Sequence, residues 1–393
     1  MEDYWNRDVK EKKINKKKII ISIVISIVVV ALIVIIALYM TNAQIREWVD
    51  TNILRKEVLQ DKVATIDLEE EQSANVYAFN KYIGILNKNQ FSIYGNNGNE
   101  EAKLEITITN PIFNADNRFL VIGESNGQKI YLLEDKQIVW ENSIEGNISQ
   151  IYVNENGYVA VIISDASYKS VVSMFDPKGN EIFKTFLSST MAIDVSISKD
   201  NKYLAIAEVD TSGTIIQSNI RIMSIEKAKT DPENAIEKNY KSEQDKLITN
   251  VKYQAQNKLI CMYTDKITII ENEQENTLVD NKDKKIISQS IELENNAVSI
   301  EEKSSGIFSA DSVVNITNID TKEVKQYTVD SVVKEIYTKD NVVALNLGTE
   351  IEFVSTNGWL IKRYIANQEI TNVTVANNIA GIIYRDKIEI INL

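Results

Sequence analysis

Asn154-Glu155-Asn156-Gly157-Tyr158-Val159-Ala160-Val161-Ile162-Ile163 is the stretch whose reading decides the fold. A polar turn hands the chain to a run with no polar side. A strand covered on one face alternates apolar and polar residues, whereas a strand covered on both faces is apolar throughout. This second kind of strand, entered by a tight Asn/Gly turn, needs a sheet packed on each side of it.

The arrangement recurs along the chain. Turns at Asn80-Lys81, Asp116-Asn117, Asp200-Asn201, Gln256-Asn257, Asn295-Asn296, Asp340-Asn341 and Asn377-Asn378 precede apolar runs at 82–86, 119–122, 203–207, 259–263, 297–300, 342–347 and 379–384. With 158–163 this makes eight units of about 41 residues, the length of a four-stranded propeller blade. Third and fourth strands show in the better units. Residues 171–175 lead through Asp176-Pro177-Lys178-Gly179-Asn180 into 181–186, and 351–354 lead through Ser355-Thr356-Asn357-Gly358 into 359–365. Such Gly- and Asn-bearing turns suit hairpins. Charges at Glu181, Lys184, Glu323, Lys325, Lys362 and Arg363 mark the fourth strand as an outer edge that resists pairing with another molecule. The expected fold is all-β, an eight-bladed propeller, or seven-bladed should one weak unit drop out. A β-sandwich or β-solenoid fits the length and repeat less well.

The last unit has only three strands before the chain stops at Leu393, and an orphan strand stands at 62–68. Pairing 63–68 with the last blade would complete it and close the ring without a disulfide. The propeller is therefore expected to occupy 62–393.

Upstream lies an uncharged run at 19–40, broken only by Ser22, Ser26 and Tyr39. Its 22 residues reach about 33 Å as a helix, enough for the hydrocarbon layer. A soluble helix of that length would show a polar face, and a cleaved signal would have a shorter apolar core. The run is read as an uncleaved transmembrane helix in contact with lipid. Lys10, Lys12, Lys13, Lys16, Lys17 and Lys18 crowd its N-terminal side. The positive-inside rule then keeps tail 1–18 in the cytoplasm and the propeller outside the plasma membrane. Lys16, Lys17 and Lys18 would sit at the membrane interface on one side and Trp48 on the other. Residues 41–61 carry Ile45, Trp48, Val49, Ile53 and Leu54 near helical spacing and read as a juxtamembrane helical stalk.

Composition narrows the function. The tail holds Arg7 and six lysines against Glu2, Asp3, Asp8 and Glu11, so a tail of +3 in a chain of −13 leaves −16 for the rest. Nucleic acid is not an expected partner, because phosphate neutralisation needs clustered cations. The chain has no histidine and one cysteine, Cys261. Ser-His-Asp and Cys-His catalysis, His-ligated zinc and iron–sulfur clusters are excluded. No phosphate-binding glycine loop, GxSxG or EF-hand loop is present, and no cofactor is expected.

The segments Asn52-Ile53-Leu54-Arg55-Lys56-Glu57-Val58 and Tyr82-Ile83-Gly84-Ile85-Leu86-Asn87-Lys88, in the order tail, anchor, clasp strand, propeller, resemble a family of uncharacterised membrane-anchored propellers from low-GC Gram-positive bacteria. The resemblance covers nearly the whole chain and implies architecture and location, with no activity attached. Asp176-Pro177-Lys178-Gly179-Asn180-Glu181-Ile182-Phe183 is similar, more loosely, to outer-membrane-assembly and quinoprotein propellers. The quinoprotein tryptophan pattern does not repeat: of four Trp, Trp5 and Trp48 fall outside the propeller.

Propeller functions sit on loops carried by rigid blades. Three loops, at 164–170, 208–218 and 301–311, are longer than their neighbours, and each joins a second strand to a third, so all three should leave one face. Tyr168, Asp210, Ser212, Ser304 and Phe308 are the candidate binding residues, because an aromatic flanked by Ser and Asp suits protein or glycan contact. The expected function is a non-catalytic scaffold that binds an envelope protein. The alternatives are a lectin-like reader of wall polymers and a glycosidase or lyase using two of the 56 acidic residues.

Overall fold

The computed structural model describes residues 16–42, 45–46, 48–49, 58–59, 62, 64–69, 75–254, 257–304 and 310–393. The chain divides into two compact units, Met1–Arg55 and Lys56–Leu393.

In the first unit one helix runs Lys16–Thr41. Its aliphatic side chains from Val24 to Ile36 are exposed on every side. Among the described residues it is the one helix long and apolar enough to cross a membrane, over Val24–Thr41. A helix end leaves carbonyls without intrahelical donors. Here the Arg46 guanidinium donates to the Tyr39 and Met40 carbonyls, each at 3.1 Å. Asn42 breaks the helix and its Oδ1 accepts the Ile45 N–H at 3.1 Å, the job of an N-cap. Trp48 is helical and exposed. The side chains of Lys16, Lys17 and Lys18 lie outside the described residues.

The second unit is an eight-bladed propeller, built from eight sheets. Blades 1 to 7 take their four strands consecutively from Val76–Phe79 to Leu360–Ile365. Neighbouring strands within each blade are antiparallel. The turns after first and third strands therefore share one face, the turn face. The loops after second strands and the links between blades share the other, the loop face.

The recurring Asn of the sequence has a backbone cause. Each first-to-second-strand turn holds one residue at positive φ: Asn80, Asn117, Gly157, Asn201, Asn257, Asn295, Asp340 and Asn378, at 47–80°. Glycine, Asn and Asp enter that region at least cost. Gly157 has a second reason, since a Cβ there would come within 2.9 Å of the Phe119 ring.

The second strands are buried through their centres, as in Val159–Ser164, where only Ser164 is exposed, and Ile379–Ile383. Their side chains build eight apolar clusters, each shared by two adjacent blades. The cluster that joins blade 8 to blade 1 packs Ile379, Ile388 and Ile390 against Val76, Ile83 and Ile85, with Leu68 and Ile66 beside them. The ring is therefore closed. Blade 8 comprises Asn372–Ala376, Ile379–Ile383 and Lys387–Asn392, with Ala64–Asp67 antiparallel on its outside. Thr65 faces Glu389, Ile66 faces Ile388, and Leu68 N–H reaches Asp386 O at 2.7 Å. This is the clasp the orphan strand predicts; Val63 lies outside the described residues.

Polar bonds also stitch the blades. Tyr327 on the outer strand of blade 6 donates to Glu352 on the third strand of blade 7 at 3.0 Å. One blade on, Tyr364 donates to Glu389. Lys62 and Lys387 reach the same Glu389 carboxylate at 3.0 and 2.8 Å. Burial pushes Glu389 up, but Lys387, Tyr364 and Lys62 outweigh it and hold the pKa at about 2.

Two sequence expectations need correction here. The helical stalk does not run to residue 61, because Val58–Leu59 is a strand parallel to Leu360–Ile365, pairing Val58 with Arg363 and Leu59 with Tyr364. A two-residue strand leaves no period to read, and its pairing depends on a partner 305 positions away in sequence. The edge role of Lys362 and Arg363 changes with it. Arg363 points inward, 2.8 Å from Glu350 and 2.6 Å from buried Glu352, and this edge is partly covered.

Candidate functional site

Two regions stand out, one on each face. On the loop face, the second-to-third-strand loops of blades 3 and 4 span 165–169 and 211–216. They are shorter than the sequence suggested. Glu208 is a strand residue with 0% exposure, its carboxylate 2.5 Å from Arg221 Nε and accepting from Thr190 Oγ1 at 2.7 Å. In blade 6 the strands run to Ser304 and restart at Ala310. Phe308 and the Ser304 side chain lie outside the described residues.

Tyr168 is 39% exposed and its ring packs 4.8 Å from that of Phe186, which is 52% exposed. Exposed Met191, Ile215 and Ile216 belong to the same rim of blade 4. The two blades meet there through the Ala192 N–H, which donates to Ser170 Oγ at 3.1 Å. Asp210 and Ser212 serve the loop itself: Asp210 Oδ1 accepts both the Ser212 N–H at 2.9 Å and its hydroxyl at 2.6 Å. These two bonds lower the Asp210 pKa. The structure thus sets Tyr168, Asp210 and Ser212 on adjacent blades of one face. It adds Phe186 and Ile216, which the sequence reading missed. Phe186 alternates with buried Phe183, Thr185 and Leu187 and so falls on the exposed side of its strand. Ile215-Ile216 in an otherwise polar loop was a visible signal.

On the turn face the first strands surround a cavity of about 380 Å³. These strands have no neighbour toward the axis, so their inward N–H groups need other partners. Side chains of the preceding blade supply them. Asn114 accepts from Val153 N–H (2.9 Å), Ser196 from Tyr253 (2.8 Å), Thr374 from Ala78 (2.8 Å) and Asp194 from Val251 (2.7 Å). Three of those four acceptors have no ionisable group, and Asp194 has one.

The cavity wall carries six carboxylates against three lysines. Lys199 pairs with Glu155 at 3.4 Å and Lys252 with Glu292 at 2.6 Å, while Lys339 donates to the Ala115 carbonyl at 2.6 Å. Burial pushes Glu292 up, but Lys252 and Lys339 overcome it and leave its carboxyl below the usual range. Asp340 moves the other way: burial raises it, with Asp116 and Glu294 adding to the effect against Lys339 and Lys252. Asp194 is 3% exposed. Burial lifts its pKa to about 7, against the pull of the Tyr152 hydroxyl and the Val251 N–H. The Tyr152 hydroxyl, which lies beside Asp194, also donates to Gln150. No group of three or more His, Cys, Asp or Glu side chains among the described residues is placed to hold a metal ion.

Eight sheets closed into a ring make the second unit of the chain a β-propeller. It belongs to the family of unknown function DUF5711, which matches residues 57–393. No curated protein matches the sequence. Among solved structures it is similar to the C-terminal WD40 domain of Sif2, with TM-score 0.57, 11% identity, 86% of this chain and 99% of that one covered. Sqt1 of Chaetomium thermophilum, bound to the N-terminus of the ribosomal protein L10, gives TM-score 0.53 and 10% identity over 85% of this chain and 100% of that one. BamB from Moraxella catarrhalis gives 0.51 and 14% over 84% and 96%. At such identities the likeness is one of fold.

Proposed function

We propose that this protein is a non-catalytic docking module, anchored in the plasma membrane by its N-terminal helix and holding a protein partner on the loop face of blades 3 and 4. The observation that carries the reading is the exposed Tyr168–Phe186 pair with Ile215, Ile216 and Met191 on the same rim. Large side chains left in water on a rigid frame are the usual anchors of an interface. The fold is compatible with this use, since the similar Sqt1 propeller is bound to a segment of another protein. The lysines before the helix support a cytoplasmic N-terminus and a propeller outside the membrane.

The test is capture from detergent-solubilised membranes with the full chain and with Phe186→Glu/Ile216→Glu. Two lost anchors are worth about 2 kcal/mol or more, at least 30-fold in affinity. A partner retained by the wild type and lost by the variant, at equal melting temperature, is the expected result. Identical capture by both proteins contradicts the docking rim. Retention on purified wall polymer, lost in the same variant, would transfer the rim to the glycan-reading alternative.

A further inference from the structure

We infer that the turn-face rim of blades 6 and 7, headed by Trp359, rests in the headgroup layer of a lipid bilayer, so that the loop face looks away from the membrane. This rests on the membrane anchoring put forward above, and it leaves the rim of blades 3 and 4 open to a partner.

The first observation is the side from which the chain enters the ring. Val58 and Leu59 belong to the propeller unit and run parallel to Leu360–Ile365, a strand that starts from a turn of the turn face. Val58 therefore lies nearer the turn face than Leu59, and the chain arrives from that side. Val58 pairs with Arg363, four residues on from Trp359, or about 13 Å along a strand. From the end of the helix at Thr41 to Val58 is 17 positions, at most about 60 Å of chain. The second observation is Trp359 itself. Among the described residues it is the most exposed large apolar side chain of the propeller, at 60%. Its turn is firmly held: Trp359 N–H donates to Ser355 Oγ at 3.3 Å, and Ser355 N–H donates to the Trp359 carbonyl at 2.8 Å. Gly358, at positive φ, lies so close to the Gln326 carbonyl that a Cβ would come within 3.0 Å of it. That contact sets the turn against the outer strand of blade 6, where Val324 is 49% exposed. Tryptophan joins an apolar ring to an N–H donor and favours the boundary between hydrocarbon and water. The third observation is local charge. Asp320 is paired with Lys258 at 2.5 Å and Glu323 with Lys325, while exposed Lys322 on the same turn joins no ion pair among the described residues. A lipid surface offers phosphates to that ammonium. The six carboxylates of the axial mouth repel an anionic surface, which keeps the contact at the rim. A single ring and a valine bind lipid weakly, but a short tether holds them at high effective concentration.

The experiment reads tryptophan emission from the full chain reconstituted in phosphatidylcholine vesicles containing phosphatidylglycerol, with and without bromine on the acyl chains. Trp5→Phe and Trp48→Phe leave Trp359 and Trp140, and Trp140 is buried between blades 2 and 3. Vesicle flotation of the same protein is measured in parallel. Quenching by brominated lipid and a blue shift of the emission, both lost in Trp359→Ala at equal melting temperature, are expected. Moving the reporter to the loop face, as Trp359→Phe/Phe186→Trp, should abolish the quenching. Three results overturn the proposal and leave the anchor standing: floating protein without quenching, quenching at position 186, or a blue shift that brominated lipid does not quench. The last is what a second copy or a protein partner covering Trp359 would give. Protein that fails to float overturns both the anchor and the proposal.

Discussion

Replacing Ile66 with proline is expected to lower the melting temperature of the full chain by roughly 5–10 °C. Leu68 N–H bonds Asp386 O at 2.7 Å, and the antiparallel alternation puts the next such pair at Ile66 and Ile388. Proline removes that donor, at about 3 kcal/mol. It also removes an apolar side chain from the cluster between blades 8 and 1, at about 1–2 kcal/mol more. The effect should spread beyond one strand. Lys62 stands just before the clasp and, with Lys387, holds Glu389, which is 4% exposed. A carboxylate whose folded pKa is depressed stabilises above its unfolded pKa and loses that contribution as pH falls through the folded one. For Glu389 the window lies between the ordinary value of 4.5 and about 2. Calorimetry from pH 7 to 3 should therefore show the gap between wild type and variant narrowing below about pH 4. A variant that melts with the wild type at pH 7 would mean that the clasp carries no weight.

Arg221→Ala is expected to cost about 3–5 kcal/mol. Glu208 has no exposure, and Arg221 covers it with Nε at 2.5 Å and Nη2 at 3.1 Å. Removing the guanidinium leaves a charge in the wall of blade 4 with only Thr190 and Asn219 to solvate it. The penalty belongs to the stranded carboxylate more than to the lost pair. Adding Glu208→Gln to Arg221→Ala should recover most of the loss, as read by urea unfolding. A cost under about 1 kcal/mol for the single variant would show that water reaches Glu208.

Much of the ring was legible in the sequence because its signals are local. A residue at positive φ, Asn in six of the eight, marks the first turns, and a doubly covered strand must be apolar, so Asn80, Asn201 and Asn378 could be read with the runs behind them. The clasp was legible by counting strands. What escaped depends on distant partners. Glu208 was read as a loop residue because a buried acid and its arginine, thirteen positions apart, leave no pattern. The Tyr364–Glu389 stitch had a faint signal, since Lys325-Gln326-Tyr327 and Lys362-Arg363-Tyr364 recur one blade apart, as do Ile351-Glu352-Phe353 and Ile388-Glu389-Ile390. Asp194 was one acid among 56. Its position follows a bulge between Ala192 and Asp194 that aims it at Val251 of the next blade.

The ring's closure by its own N-terminal strand is tested most directly by oxidising the full chain bearing Asp67→Cys and Lys387→Cys. These residues face each other in the clasp at the non-hydrogen-bonded spacing a disulfide requires. A cross-link between Cys-bearing positions 67 and 387 found by mass spectrometry, and absent from the register-shifted Asp67→Cys/Ile388→Cys protein, is the predicted result. No cross-link in either protein, or equal yields in both, would contradict it.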